Sequence, residues 1–172
     1  MAYKEREKPR MLCIYEALAK RMKLGPADQY YLLHMDGGFV GECGLDVHTD
    51  ALDSRCLVLN DLQLRHNRIS IQIDTLVICP DKLRVYETKN YKGDHQWGPV
   101  TLRKPSGATM ENPSIQLNRT MARLGVLLAE LQIEMPIEGF VAFINPEFNL
   151  LSTRKIEEYL LPGQIPRHFQ NF

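Results

Sequence analysis

Asp74, Glu87 and Lys89 are the residues of this 172-residue chain whose types and spacing could do chemistry together. Along residues 68–78, period-two alternation puts Ile69, Ile71 and Ile73 on one face of a strand and Ser70, Gln72 and Asp74 on the other. Asp74 is then a carboxylate among isoleucines, and an unpaired charge there would be costly to bury. Along residues 82–90, Leu83, Val85, Glu87 and Lys89 share a face, so an acid and a base emerge together beyond two apolar residues. Cys79-Pro80-Asp81-Lys82 is a tight-turn signal between the two runs. An antiparallel pair folded about that turn brings Asp74 opposite the Glu87 end of its neighbour.

Two hard carboxylates converging on one point suit Mg²⁺, or Mn²⁺ in its place, which keeps several waters for a substrate phosphate to replace. Lys89 would hold the attacking water or neutralise charge on the scissile phosphate, while the metal acidifies that water and polarises the P–O bond. Phosphodiester hydrolysis is the reaction class these parts fit. Asp followed by Glu-x-Lys also arises by chance, and Glu87 with Lys89 can equally be a solvated strand face. Gln72 reads as a partner of the site or as a solvated strand residue.

The elements that must position these residues follow from periodicity. Residues 9–24 place Met11, Leu12, Tyr15, Leu18, Ala19 and Met22 at helical spacing, and Gly25-Pro26 stops the pattern. A second helical stretch, 27–35, is expected to break at Gly37-Gly38 and resume over 39–52, with Glu42 in its first turns. Residues 56–64, 68–79 and 82–90 read as three strands in a meander. Residues 91–112 read as a loop. Asn112-Pro113 opens a helix with Leu117, Met121, Leu124, Leu128 and Leu131 on one stripe. Residues 137–144 read as a buried strand, 152–161 as a short helix with a Ser/Thr cap, and the tail after Pro162 as unstructured. The expected order is ααβββαβα, an α/β pattern.

Hydrophobic residues at 44% and charged ones at 24% belong to an ordinary globular chain able to bury a core. Lys plus Arg and Asp plus Glu both number 21, so any contact with a polyanion must be a local patch. The N-terminal MAYKEREKPR lacks the apolar core of a secretory signal, and no run of about 18 apolar residues follows. A soluble, cytoplasmic protein without a membrane partner is expected. Cys13, Cys43, Cys56 and Cys79 show no zinc spacing and read as reduced core thiols. No Walker loop, GxSxG or HExxH occurs. Asp46, Asp50 and Asp53 read as a wet helix face, and Arg65-His66-Asn67 as a polar turn.

Flanking sequence adds to the Asp74, Glu87 and Lys89 pattern. Gly41-Glu42 precedes it, Ile-Gln-Ile-Asp (71–74) and Glu-Thr-Lys-Asn-Tyr-Lys-Gly (87–93) surround it, and Asn-Pro-Ser-Ile-Gln (112–116) follows. From about Phe39 to Leu161 the chain resembles the nuclease-related domain (NERD) family of the PD-(D/E)xK nuclease superfamily. The resemblance implies a restriction-endonuclease-like core, a central mixed sheet flanked by helices. It divides the chain into an N-terminal helical segment (1–38), the nuclease-related domain (39–161) and a tail (162–172).

The resemblance also implies roles. Asp74 and Glu87 would hold the metal with the carbonyl of Thr88, Lys89 would be the catalytic lysine, and Glu42 would join the same metal from a helix. Gln116 would orient the site. The chain departs from its relatives at Thr120, where tyrosine is usual, and at Thr75, where His or Asn follows the aspartate. Read without the resemblance, Glu42 is also a first-turn acid favoured by the helix dipole, and Gln116 a surface residue.

Residues 82–104 hold six basic residues against two acidic ones. Lys92, Arg103 and Lys104 would meet phosphates, Tyr91 and Trp97 would stack bases, and Arg119 with Arg123 would extend the patch. Trp97 packed on the core is the equal alternative. A Mg²⁺-dependent nuclease acting on DNA is the leading reading. A nucleic-acid-binding or regulatory module that keeps the fold without cutting is its rival. The oligomeric state stays open.

Overall fold

The computed structural model describes residues 2–52, 55–66, 69–170 and 172; Asp53, Asn67 and the side chain of Ile69 lie outside the described part. Helices α1 (Arg10–Ala19) and α2 (Pro26–Thr49) precede strands β1 (Leu57–His66), β2 (Ile69–Ile78) and β3 (Leu83–Lys89). Short strands β4 (Gly93–Gln96), β5 (Thr101–Arg103) and β6 (Thr109–Glu111) lead into α3 (Pro113–Glu130). Strands β7 (Ile137–Phe143), β8 (Phe148–Leu151) and β9 (Tyr159–Leu160) follow, then a 3₁₀ turn (Pro162–Gln164) and α4 (Ile165–Gln170).

Two mixed sheets result. The larger has the order β1-β2-β3-β7-β9, antiparallel on the β1 side and parallel from β3 onward. The smaller has the order β6-β5-β4-β8, with β4 parallel to β8. Helices flank the large sheet, which buries both faces, as parallel strands do. Ile73, Val85, Val141 and Phe143 pack with Leu117 and Leu124 of α3 on one face, while Val77, Tyr86 and Ala142 pack with Leu45 of α2 and Phe169 of α4 on the other. This is the mixed α/β architecture that the sequence reading anticipates.

The β2–β3 hairpin forms with the expected register. Ile78 faces Leu83 and Thr75 faces Tyr86, so the next position outward sets Asp74 against Glu87. The alternation along β2 is not regular, however. Ile71, Ile73 and Leu76 share one core and Val77 the other, so the phase slips by one residue between Ile73 and Leu76. Across β1 the slip is met by Asp61, whose φ of 45° is the left-handed region.

Several expectations are corrected. Helix α2 runs unbroken through Gly37-Gly38 and past residue 38, and Glu42 lies mid-helix, which removes the first-turn dipole reading. A glycine costs a helix only about 1 kcal/mol, which packing offsets. Residues 91–112 form three strands of the second sheet; each is so short that it buries at most one side chain, such as His95 or Leu102, and shows no periodicity. Residues 152–161 turn into β9, which pairs with β7, instead of forming a helix. The tail carries α4, anchored by buried Ile165 and Phe169. The observed order is thus longer than ααβββαβα. Arg65 and His66 end β1 rather than forming a turn, and Cys13 is exposed while Cys79 is buried. Among the described residues no helix is long and apolar enough to cross a membrane.

Candidate active site

Asp74 and Glu87 come from adjacent strands, and Glu87, at the far end of β3 from the hairpin turn, has a side chain only 5% exposed. The backbone amide of Thr88 donates to Asp74 Oδ2 at 2.8 Å, which fixes one carboxylate oxygen. Lys89 turns back onto the same point. Its Nζ donates to Glu87 Oε1 at 2.6 Å and to Gln116 Oε1 at 3.1 Å. Gln116 reaches that position because Asn112 caps α3, its side chain accepting from the Ser114 amide, with Pro113 as the first helical residue.

Helix α2 brings Glu42 to this centre through close backbone approach. A Cβ on Gly41 would stand 2.7 Å from Asn90 Cβ, and one on Gly44 would stand 2.8 Å from Ile144 Cγ1, so side chains there would push the helix away. Asn90 locks the arrangement, its Nδ2 donating to the Gly37 carbonyl at 2.7 Å.

Glu42 does not simply join Asp74 and Glu87. Its Oε2 accepts from Arg6 Nη1 at 2.6 Å, and Arg6 also binds Asp46 through Nε (2.8 Å) and Nη2 (3.1 Å). Arg6 Nη2 further donates to the Asp74 carbonyl and to Thr75 Oγ1. The Arg6 side chain is 2% exposed. Asp46 is therefore half-buried in an ion pair and not a wet face, and Thr75 Oγ1 is an acceptor for Arg6. Among the described residues no three His, Cys, Asp or Glu side chains gather at metal-ligand spacing. Glu42 meets Arg6, whose guanidinium also reaches the Asp74 backbone.

The electrostatics show a site short of positive charge. Burial, then the charge of Asp74, pushes Glu42 up to about 7 despite Arg6. Burial and Asp74 push Glu87 up to about 7 against the pull of Lys89. Asp74 is also raised, chiefly by burial, with the Thr88 amide opposing. Burial works to lower Lys89, but Glu87 outweighs it, so Lys89 stays a cation. Asp61 adds to the negative field at both Asp74 and Glu42.

Sequence reasoning missed Arg6, Asp46, Asp61 and Asn90. Only Asn90 stands inside a recognisable motif; Arg6 lies 68 residues from Asp74 and carries no local signal. Gln72 is exposed, which decides for the solvated strand residue.

The family model described as Nuclease-related domain matches residues 38–144, which include Glu42, Asp74, Glu87, Lys89 and Gln116. The chain belongs to the nuclease-related domain family. Neither the curated proteins nor the solved structures compared with it give a match. Arg6 precedes the matched residues, so the nuclease-related domain is completed here by the chain before it.

The basic side chains of this nuclease-related domain are spread unevenly. Lys92 is exposed and pairs with Glu147 at 2.8 Å. Arg103 is exposed at the end of β5, and half-buried Lys104 opens the turn closed by Gly107. Arg119 stands 3.8 Å from Glu111, and Arg123 donates to the Ser70 carbonyl. Lys82 and Arg84 are tied to Glu138 at the opposite end of β3, so they leave the patch counted over residues 82–104. Trp97 packs on the core with Arg154 4.3 Å above its ring.

Proposed function

We propose that this nuclease-related domain hydrolyses phosphodiester bonds in DNA with Mg²⁺ or Mn²⁺ bound between Asp74 and Glu87. The observation that carries the reading is the meeting of two carboxylates from neighbouring strands with Lys89, whose ammonium is tied to Gln116. The donor set fits a hard cation. It is all oxygen, and its carboxyls are raised by burial, Glu87 further by the charge of Asp74. The Thr88 carbonyl would complete the set: in an antiparallel ladder the amide and carbonyl of one residue face the same neighbour, and this amide faces Asp74.

When bound, the cation supplies an acidified water and a polarised P–O bond. Lys89 orients the attacking water or meets the scissile phosphate, Gln116 keeps its Nζ in place, and Glu87 keeps it charged. Arg6 fixes Glu42 and the Asp74 backbone, so Glu42 acts on the site through its charge. Lys92, Arg103, Lys104, Arg119 and Arg123 would carry phosphate contacts whose affinity falls with salt. Trp97 would meet a base through its stack with Arg154 rather than as an open ring. A cytoplasmic location goes with this reading.

The test compares wild type with Lys89→Ala on single-stranded, duplex and branched DNA and on RNA, with Mg²⁺ and with Mn²⁺. Equal cleavage by both proteins removes the enzyme reading. The second reading, a nucleic-acid-binding or regulatory module, is favoured by Arg6, since a guanidinium already occupies Glu42. It requires salt-dependent binding without cleavage by either protein.

A further inference from the structure

Cys56 and Cys79 stand at the end of the large sheet away from Glu87, with their Sγ atoms 3.3 Å apart. Both are free thiols. The β1–β2 register, in which Leu57 faces Ile78, makes them the next facing pair. The Cys79 amide donates to the Lys82 carbonyl across the β2–β3 turn, so its polar backbone points away from β1. The Val58 carbonyl likewise points outward, accepting from Tyr3 and Lys4. The Cys56–Cys79 position is therefore a non-hydrogen-bonded pair. Facing residues there approach to about 4.5 Å between Cα atoms, inside the range a disulfide spans.

The two thiols differ in access. Cys79 is 6% exposed, whereas Cys56 is half-buried. Both line a cavity of about 390 Å³ together with Arg55, Lys82, Arg84 and Phe172. Asp81 lines it as well, and Glu138 pairs with Lys82 and Arg84. Burial, then the neighbouring thiol, pushes Cys79 up to about 11.

We propose that Cys56 and Cys79 form an oxidisable dithiol site that takes a small disulfide, with Cys56 attacking and Cys79 resolving. Cys56 gives its proton to solvent and its thiolate attacks one sulfur of the disulfide. A Cys56–S–S–R bond forms, the original S–S bond breaks, and one RS⁻ leaves. The Cys79 sulfur, losing its proton to solvent, then attacks Cys56 Sγ and expels the second RS⁻. Two protein thiols are oxidised by two electrons, the small disulfide is reduced, and the two released protons convert the leaving thiolates to thiols. The bond would staple β1 to β2 beside α4, and it is independent of the nuclease reading.

The test incubates the native protein with oxidised glutathione, followed by intact mass and non-reducing peptide mapping. The expected result is a loss of two hydrogens, a Cys56–Cys79 linked peptide and a melting temperature raised by roughly 5–10 °C, reversed by dithiothreitol. Cys79→Ala should accumulate one glutathione on Cys56, and Cys56→Ala should react at Cys79 at least roughly tenfold more slowly, as burial hinders attack. A glutathione adduct that persists on Cys56 in the wild type, modification confined to Cys13 and Cys43, or a link formed only in denaturant would each overturn the proposal.

Discussion

Arg6 Nη1 lies 2.6 Å from Glu42 Oε2 across 36 residues of sequence, and the same guanidinium grips Asp46 and the backbone of Asp74. One buried cation thus ties the N-terminal segment, the long helix and strand β2 into a single unit. The segment reaches it by pairing beside β1, where Asn60 donates to the Lys4 carbonyl.

Removing that cation leaves carboxylates facing one another without compensation. Arg6→Ala should lower unfolding stability by about 3 kcal/mol, the cost of breaking a buried pair. Urea unfolding measures it; a loss indistinguishable from zero would mean that water replaces the guanidinium freely.

The proposed site makes a sharper demand on Asp74 and Lys89. Asp74→Ala and Lys89→Ala should retain the fold by circular dichroism and lose cleavage by roughly a hundredfold or more, as when a preorganised charged group is lost. Retained cleavage in either would exclude that residue from the chemistry.

Glu42 and Glu87 are both raised to about 7, so the folded metal-free protein binds more protons than the unfolded chain above the ordinary carboxylate range. Stability from these groups is therefore full near pH 4.5 and declines as pH rises toward 7. Chemical denaturation at pH 5, 6 and 7.5 in chelator should show the decline, and Glu87→Gln should flatten it. An unchanged slope in the variant would place the proton uptake elsewhere.

His168 titrates in the opposite sense. Burial, aided by Arg84, lowers it to about 4, and its Nε2 lies 2.8 Å from the Tyr86 hydroxyl. The unfolded chain takes up the proton first, so its contribution, complete above pH 6.5, is lost as pH falls toward 4. Hydrogen exchange of α4 amides should quicken across that window in wild type and hardly at all in His168→Gln. The two trends separate because the carboxyls titrate toward 7 and His168 toward 4.

The pairing of Asp74 with Glu87 is legible in the sequence, because a turn as short as Cys79–Lys82 leaves one register open and that register sets the two residues opposite. The α3 cap was equally legible, since Asn112, Pro113 and Gln116 act within one helical turn. Glu42 was recognised, but not its place in mid-helix, because Gly37-Gly38 reads as a break until Asn90 and Ile144 are seen packed against the helix. The smaller sheet and α4 escaped because strands of three or four residues, or a helix of six, bury too few side chains to leave a period. Arg6 was invisible for a deeper reason: an ion pair between residues 36 or more apart is chosen by packing of the whole sheet and helix, and no local pattern encodes it. Sequence by itself determined which acids and which lysine meet at the strand ends; tertiary structure alone decided which cation holds Glu42 beside them.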